Sequence, residues 1–222
     1  IKAWSEYMTA VKRLCECEFD SENYGNMVVF IDCNPSFSIY TQMALVSSNK
    51  IVIPMMADFS SLEGIKGLFM LLYGEYPSAM LKKYADDIIT FNKQIEVFQL
   101  KLPKIYEFVF NNYTINDGVA AAFDSIRTEL IEFCYEQFKK FPQLFTPCSD
   151  TPNTKEEWQR YYVSNIKDFH TSGKVSSSLG IPMFSLPLQS KYIMPDGREV
   201  MLPSSNYSKA LEDIEAFAGK LH

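Results

Sequence analysis

Met27-Val28-Val29-Phe30-Ile31-Asp32-Cys33-Asn34-Pro35-Ser36 is the stretch whose reading decides the fold. An apolar run meets an acid, then a Pro-Ser turn, and a helical pattern follows. A short apolar run bounded by turn residues reads as a buried strand, most often of a parallel sheet. An acid at the carboxyl end of such a strand faces the crevice where open α/β sheets bind ligands. A carboxylate there can hold a magnesium ion, usually through water. A strand-end acid that merely caps the following turn is the competing reading.

The rest of the chain is read outward from there. Lys50-Ile51-Val52-Ile53-Pro54 predicts a second strand, Ile105 to Phe110 a third ending at Asn111-Asn112, and Ile181 to Leu186 a fourth. Helical spacing of apolar residues predicts helices over about 1–18, 36–47, 60–73, 77–100, 119–133 and 155–169. A shorter one is expected over 174–179. The clearest stripe is the last: Tyr207, Ala210, Leu211, Ile214, Phe217, Ala218 and Leu221. Gly74 is expected to stop the third of these helices. Residues 141–154, with Pro142, Pro147 and Pro152, read as a surface excursion, and Pro195-Asp196-Gly197 as the turn of a small hairpin. Strands separated by helices imply right-handed crossovers and a doubly wound α/β domain, a mainly parallel sheet with helices on both faces.

The blocks around Asp32 resemble the ParA/MinD group of ATPases, the ParA branch in particular. In that group a strand ending in Asp-Cys-x-Pro-Ser leads into a helix, and a second strand ends in Ile-x-Pro. Here these are Asp32-Cys33-Asn34-Pro35-Ser36 and Ile51-Val52-Ile53-Pro54. Pro103-Lys104-Ile105 leading to Asn111, Asp168-Phe169-His170-Thr171-Ser172-Gly173, and Leu179-Gly180-Ile181-Pro182 follow in the expected order. The resemblance spans nearly the whole chain. It implies a P-loop NTPase-like fold, incomplete at the N-terminus, in which residues 1–222 form a single nucleotide-binding domain.

The resemblance also implies roles. Asp32 would order the magnesium of Mg-ATP, and Asn34 and Pro35 would lie near the γ-phosphate. Asn111 would contact the adenine base, its amide both donating and accepting, and Ser185, Leu186 and Pro187 would close the adenine pocket. Asp58 and Glu63 would lie near a dimer interface. For Pro35 plain turn chemistry, and for Asn111 an ordinary Asx turn, remain open readings. ATP would drive homodimerisation, a ParB-like or cargo adaptor would trigger hydrolysis, and nonspecific DNA would bind through Lys139, Lys140, Lys167, Lys174 and Lys191. The implied work is plasmid or chromosome partitioning or cargo positioning in the cytoplasm.

The family's phosphate loop, a Gly-rich turn with two lysines, is not in this chain: no Gly-x-x-x-x-Gly-Lys-Ser/Thr run occurs within residues 1–222. The catalytic lysines are therefore expected upstream of Ile1, and residues 1–222 by themselves are expected to hydrolyse no ATP. A non-catalytic scaffold of the same fold is one alternative. A MinD-like cell-division ATPase is another, disfavoured because the last helix sets Glu212, Asp213 and Glu215 against Lys209 and Lys220 rather than presenting a basic membrane-binding face.

Composition narrows the classes further. A formal net charge of −6 over 222 residues argues against a strongly basic nucleic-acid module. The five cysteines are irregularly spaced and, with two histidines in the chain, predict neither a zinc site nor a disulfide framework. His170 reads as structural, since no Ser or Cys nucleophile is paired with it in the sequence. No apolar run reaches transmembrane length.

Overall fold

The computed structural model describes residues 2–19, 27–33, 36–113, 120–186, 191–202 and 204–220. In chain order the elements are α1 (Lys2–Met8), α2 (Ala10–Glu18), α3 (Ile39–Ser47), β1 (Lys50–Met55), α4 (Phe59–Tyr73), α5 (Ala79–Asp86), α6 (Phe91–Val97) and β2 (Lys104–Tyr113). There follow α7 (Ala120–Lys140), α8 (Lys155–Tyr162), β3 (Val163–Lys167), α9 (His170–Leu179), β4 (Lys191–Ile193), β5 (Glu199–Met201) and α10 (Ser204–Lys220). Strands β1, β2 and β3 form a parallel sheet in that order, with helices on both sides. The expected α/β class is therefore what the chain adopts. No described helix is long and apolar enough to cross a membrane.

The chain divides into two compact units, residues 1–52, 59–106 and 136–149 in one, and 53–58, 107–135 and 150–222 in the other. In the first, Met8, Leu45, Val46, Leu72, Phe91 and Ile95 form the apolar centre. Helix α4 exists because Leu62, Ile65, Phe69 and Leu72 recur on one face and are all buried there. It stops at Gly74, whose φ of 69° suits a residue without a Cβ. The single helix expected over 1–18 is broken at Thr9 into α1 and α2. The one expected over 77–100 is two helices, because Lys93 of α6 folds back and donates to the carbonyl of Ala85 at 2.7 Å, satisfying the end of α5.

In the second unit β2 and β3 pair in parallel, with Phe108 opposite Val163, Val109 opposite Ser164 and Phe110 opposite Asn165. Side chains alternate across a strand, so Phe108, Phe110, Val163 and Asn165 share one face. Trp158 of α8 is wholly buried against Phe108 on that side, with Tyr135 and Tyr162 around it. A capping box starts α8: the Thr154 hydroxyl accepts from the Glu157 amide, and the Glu157 carboxylate accepts from the Thr154 amide. Val175, Leu186, Tyr192 and Tyr207 make a separate apolar cluster, with the β4–β5 hairpin at its edge. That hairpin turns at Met194–Gly197, around the Pro195-Asp196-Gly197 turn read from the sequence.

Three strand expectations are corrected. Residues 27–33 carry no strand and no described ladder partner, and Val28 and Phe30 are exposed. Hydrophobicity marks a segment able to form a strand, whereas the ladder needs a neighbour that sequence periodicity does not reveal. The fourth strand is not Ile181–Leu186, which contains the 3-10 turn Met183–Ser185. Pro182 lacks the N–H that a sheet interior needs. That strand is instead Val163–Lys167, inside the helix expected over 155–169. Finally β2 runs past Asn111-Asn112 to Tyr113, with its register to β3 shifting between Phe110 and Tyr113.

Candidate functional site

Open α/β sheets take ligands at the carboxyl ends of their strands. In the second unit that edge holds Asn111 of β2, Asn165 and Lys167 of β3, and Asp168 and His170 leading into α9. Asn111 is exposed and sits where the β2–β3 register shifts; irregularities of this kind re-aim side chains beside functional sites. Arg127 of α7 lies over the Phe110 ring, 4.8 Å from its centroid, and donates from Nη2 to Asn165 Oδ1 at 3.1 Å. His170 adopts a left-handed backbone (φ 43°) held by Asp168, whose carboxylate accepts from the His170 amide at 2.8 Å and lies 2.9 Å from its Nδ1.

Helix α10 extends the edge. Asp213 accepts from the Lys167 amide at 3.1 Å, and Lys220 donates to the Val163 carbonyl at 3.2 Å and Ser164 Oγ at 3.0 Å. The helical rise between Asp213 and Lys220 is about 10 Å, as is the strand rise from Lys167 back to Ser164, so α10 runs antiparallel to β3. Its first turns therefore project beyond the carboxyl end of the strand. There the Tyr207 hydroxyl donates to the Met183 carbonyl at 2.6 Å, on the 3-10 turn that carries Ser185. Ser185 is exposed, while Leu186 is buried in the apolar cluster. Asn111 and the Ser185–Leu186 turn, far apart in sequence, thus belong to the same end of this unit.

Under α10 is a group that the sequence reading missed. Glu107 is 1% exposed in the middle of β2. Its Oε1 accepts from Lys220 Nζ at 2.8 Å and from the Ser164 hydroxyl. Its Oε2 is buried with no hydrogen-bond partner among the described residues. An acid inside the apolar run Ile105–Phe110 was the visible signal, since a charge at a core position demands a partner. That the partner is Lys220 was not readable from position.

Of the other expected residues, Asp32, Glu63 and Lys139 are in the first unit, and Asp58, Lys167 and Lys191 are in the second. Asp32 is exposed and lies in a described segment with no regular secondary structure, not at the end of a strand. Partial burial and then the charge of Asp32 push the neighbouring Cys33 thiol above its usual range. Asn34, Pro35 and Pro187 lie outside the described residues. Glu63 pairs with Lys66 on the same helix at 2.8 Å. Of the lysines considered for DNA, Lys139 pairs with Glu136, Lys167 with Asp213 and Lys191 with Glu199. Among the described residues no cluster of His, Cys, Asp and Glu could hold a metal ion.

A search of curated proteins found no match, and a search of solved structures found none. Residues 19–73, which include the Asp32-Cys33-Asn34-Pro35-Ser36 block and β1, match the family model described as "AAA domain". Over that stretch the chain is similar to a P-loop NTPase-like, nucleotide-binding domain of the kind that ParA and MinD proteins carry.

Proposed function

We propose that the chain is the greater part of a ParA-like ATPase domain that dimerises on binding ATP and partitions DNA or positions another cargo through an adaptor protein. The match of residues 19–73 to an AAA domain carries this reading, and the parallel sheet with helices on both sides supports it. The donors present suit part of the ligand. Asp32 is an open carboxylate able to receive a hydrated divalent cation. Asn111 is exposed, and an amide side chain can both donate to and accept from a base edge. The chemistry a magnesium ion would supply, when bound, is neutralisation of phosphate charge. Within the second unit Asn111 would orient the base, and the Met183–Leu186 turn would border it. No residue run within 1–222 fits the phosphates themselves, because their cradle needs a Gly-rich loop and its lysines.

That same feature favours a second reading, a non-catalytic scaffold of this fold. A MinD-like role is disfavoured by α10, whose Asp213 and Lys220 are engaged on β3 and β2 rather than free for a membrane surface.

The test is binding of a fluorescent ATP analogue to the full natural protein, with and without magnesium, in wild type and Asp32→Asn. The ATPase reading expects magnesium-dependent binding that Asp32→Asn weakens at least about tenfold, a loss of roughly 1.4 kcal/mol. Thermal unfolding should be unchanged, since Asp32 is exposed. Absence of binding in the wild type would leave the scaffold. Robust ATP turnover by residues 1–222 alone would overturn the assignment of hydrolysis to a phosphate loop. Nonspecific DNA binding, if it is part of the activity, should fall steeply with salt.

A further inference from the structure

Helix α10 touches three functionally separate places. Its Tyr207 hydroxyl holds the Met183 carbonyl, its Asp213 carboxylate holds the Lys167 amide at the carboxyl end of β3, and its Lys220 reaches Glu107 and Ser164 in the interior of the β2–β3 pair. The last contact is unusual chemistry for anchoring a helix. A buried ion pair adds little net stability compared with apolar side chains of the same size, but it is strongly direction- and distance-dependent. Apolar contacts let a helix slide by part of a turn at small cost, whereas the 2.8 Å contact with Glu107 Oε1 restricts where the Lys220 ammonium can lie. The carboxylate also orients the Ser164 hydroxyl, which sits 3.0 Å from the same ammonium. Lys220 therefore acts with Asp213 on the Lys167 amide to set how far α10 slides along β3.

A rigid helix carries that setting to its other end. Between Lys220 and Tyr207 the rise is about 20 Å, and the intermediate contact of Asp213 with Lys167 keeps the helix in line. At the far end Tyr207 meets a turn in which Ser185 N donates to Pro182 O at 2.9 Å and Leu186 N to Met183 O at 3.2 Å. We propose that the Lys220–Glu107–Ser164 cluster and Tyr207 are positioning residues, linked through α10, that set the geometry of the Met183–Leu186 turn. In the ATPase reading, on which this last step rests, that turn borders the base of the nucleotide, so the cluster tunes nucleotide affinity without touching the nucleotide.

Hydrogen exchange of the Ser185 and Leu186 amides in the full natural protein tests the linkage, with amides of α4 in the other unit as the internal reference. The variants are Tyr207→Phe, the paired change Glu107→Met/Lys220→Met, which removes both charges while keeping volume, and Lys220→Arg, which keeps the cation. Tyr207→Phe and the paired change should each speed exchange of the two amides about tenfold while leaving α4 unchanged, and Lys220→Arg should stay near wild type. Acceleration by Tyr207→Phe alone would overturn the proposal, because the turn would then be held locally by Tyr207 and its apolar cluster. Binding of the fluorescent ATP analogue supplies the second arm. Faster exchange with unchanged nucleotide affinity would overturn the step that ties the turn to the nucleotide. A wild type that binds no nucleotide would defeat the ATPase reading, while the exchange arm would still decide the linkage.

Discussion

Replacing Lys220 with Met should cost much more than an ordinary surface lysine, and the geometry says how much. The side chain of Lys220 is 35% exposed, while that of Glu107 is 1% exposed. Removing the cation leaves a carboxylate in the β2–β3 interior with only the Ser164 hydroxyl to support it. Breaking a fully buried pair costs about 3–5 kcal/mol. The partial exposure of Lys220 lets water relieve some of this, so the expected loss is about 2–3 kcal/mol. The paired change Glu107→Met/Lys220→Met removes the stranded charge and should return to within about 1 kcal/mol of wild type, because an apolar pair of similar volume replaces an ion pair at little net cost. Urea unfolding followed by tryptophan fluorescence is the assay. A Trp4→Phe background leaves Trp158, wholly buried in the same unit as the pair, as the reporter. The midpoint should fall for Lys220→Met at an unchanged urea slope. A single variant within about 0.5 kcal/mol of wild type, the usual range for a surface change, would refute the buried-charge argument. So would a paired variant as unstable as the single one, since the loss would then come from packing of the lysine stem.

Trp158→Ala should destabilise the second unit by about 3–5 kcal/mol, because it empties a site packed by Phe108, Tyr135 and Tyr162; calorimetry of the purified variant checks this. Gly74→Ala should cost more than about 1 kcal/mol, since φ is 69° and the new Cβ would meet Asn92 Nδ2 at 2.6 Å. Unchanged thermal unfolding of that variant would contradict the strain. Hydrogen bonds from the Arg198 side chain and then its backbone hold the exposed Asp196 carboxyl below its usual range. Its contribution to the hairpin turn is therefore present above the ordinary carboxylate pKa and is lost as pH falls through the lowered folded-state value. An NMR titration of the Asp196 carboxyl should show a midpoint below that of a model peptide in wild type, and one raised part of the way back in Arg198→Ala, which keeps the backbone hydrogen bond.

Much of the architecture was legible locally. The stripe Leu62, Ile65, Phe69 and Leu72 with Gly74 behind it predicted α4, Pro195-Asp196-Gly197 predicted the turn of the hairpin, and the stripe from Tyr207 predicted α10, because each depends on residues within a few positions of one another. The block at Asp32 was likewise specific enough to point to the family that residues 19–73 match. Helix ends inside apolar periodicity were not legible: the break between α5 and α6 depends on Lys93 reaching a carbonyl eight residues back.

What sequence alone determined, then, is the alternating α/β class, the helix faces and the nucleotide-binding likeness of residues 19–73. Tertiary structure decided which extended segments became strands. Val163–Lys167 qualified because β2 lay beside it, whereas Met27–Ile31, more apolar, found no described partner. Tertiary structure also decided that Glu107 is paired, by a lysine 113 positions away at the end of the last helix. Strand pairing and the neutralisation of a buried charge depend on neighbours in space, and neither leaves a periodic mark along the chain.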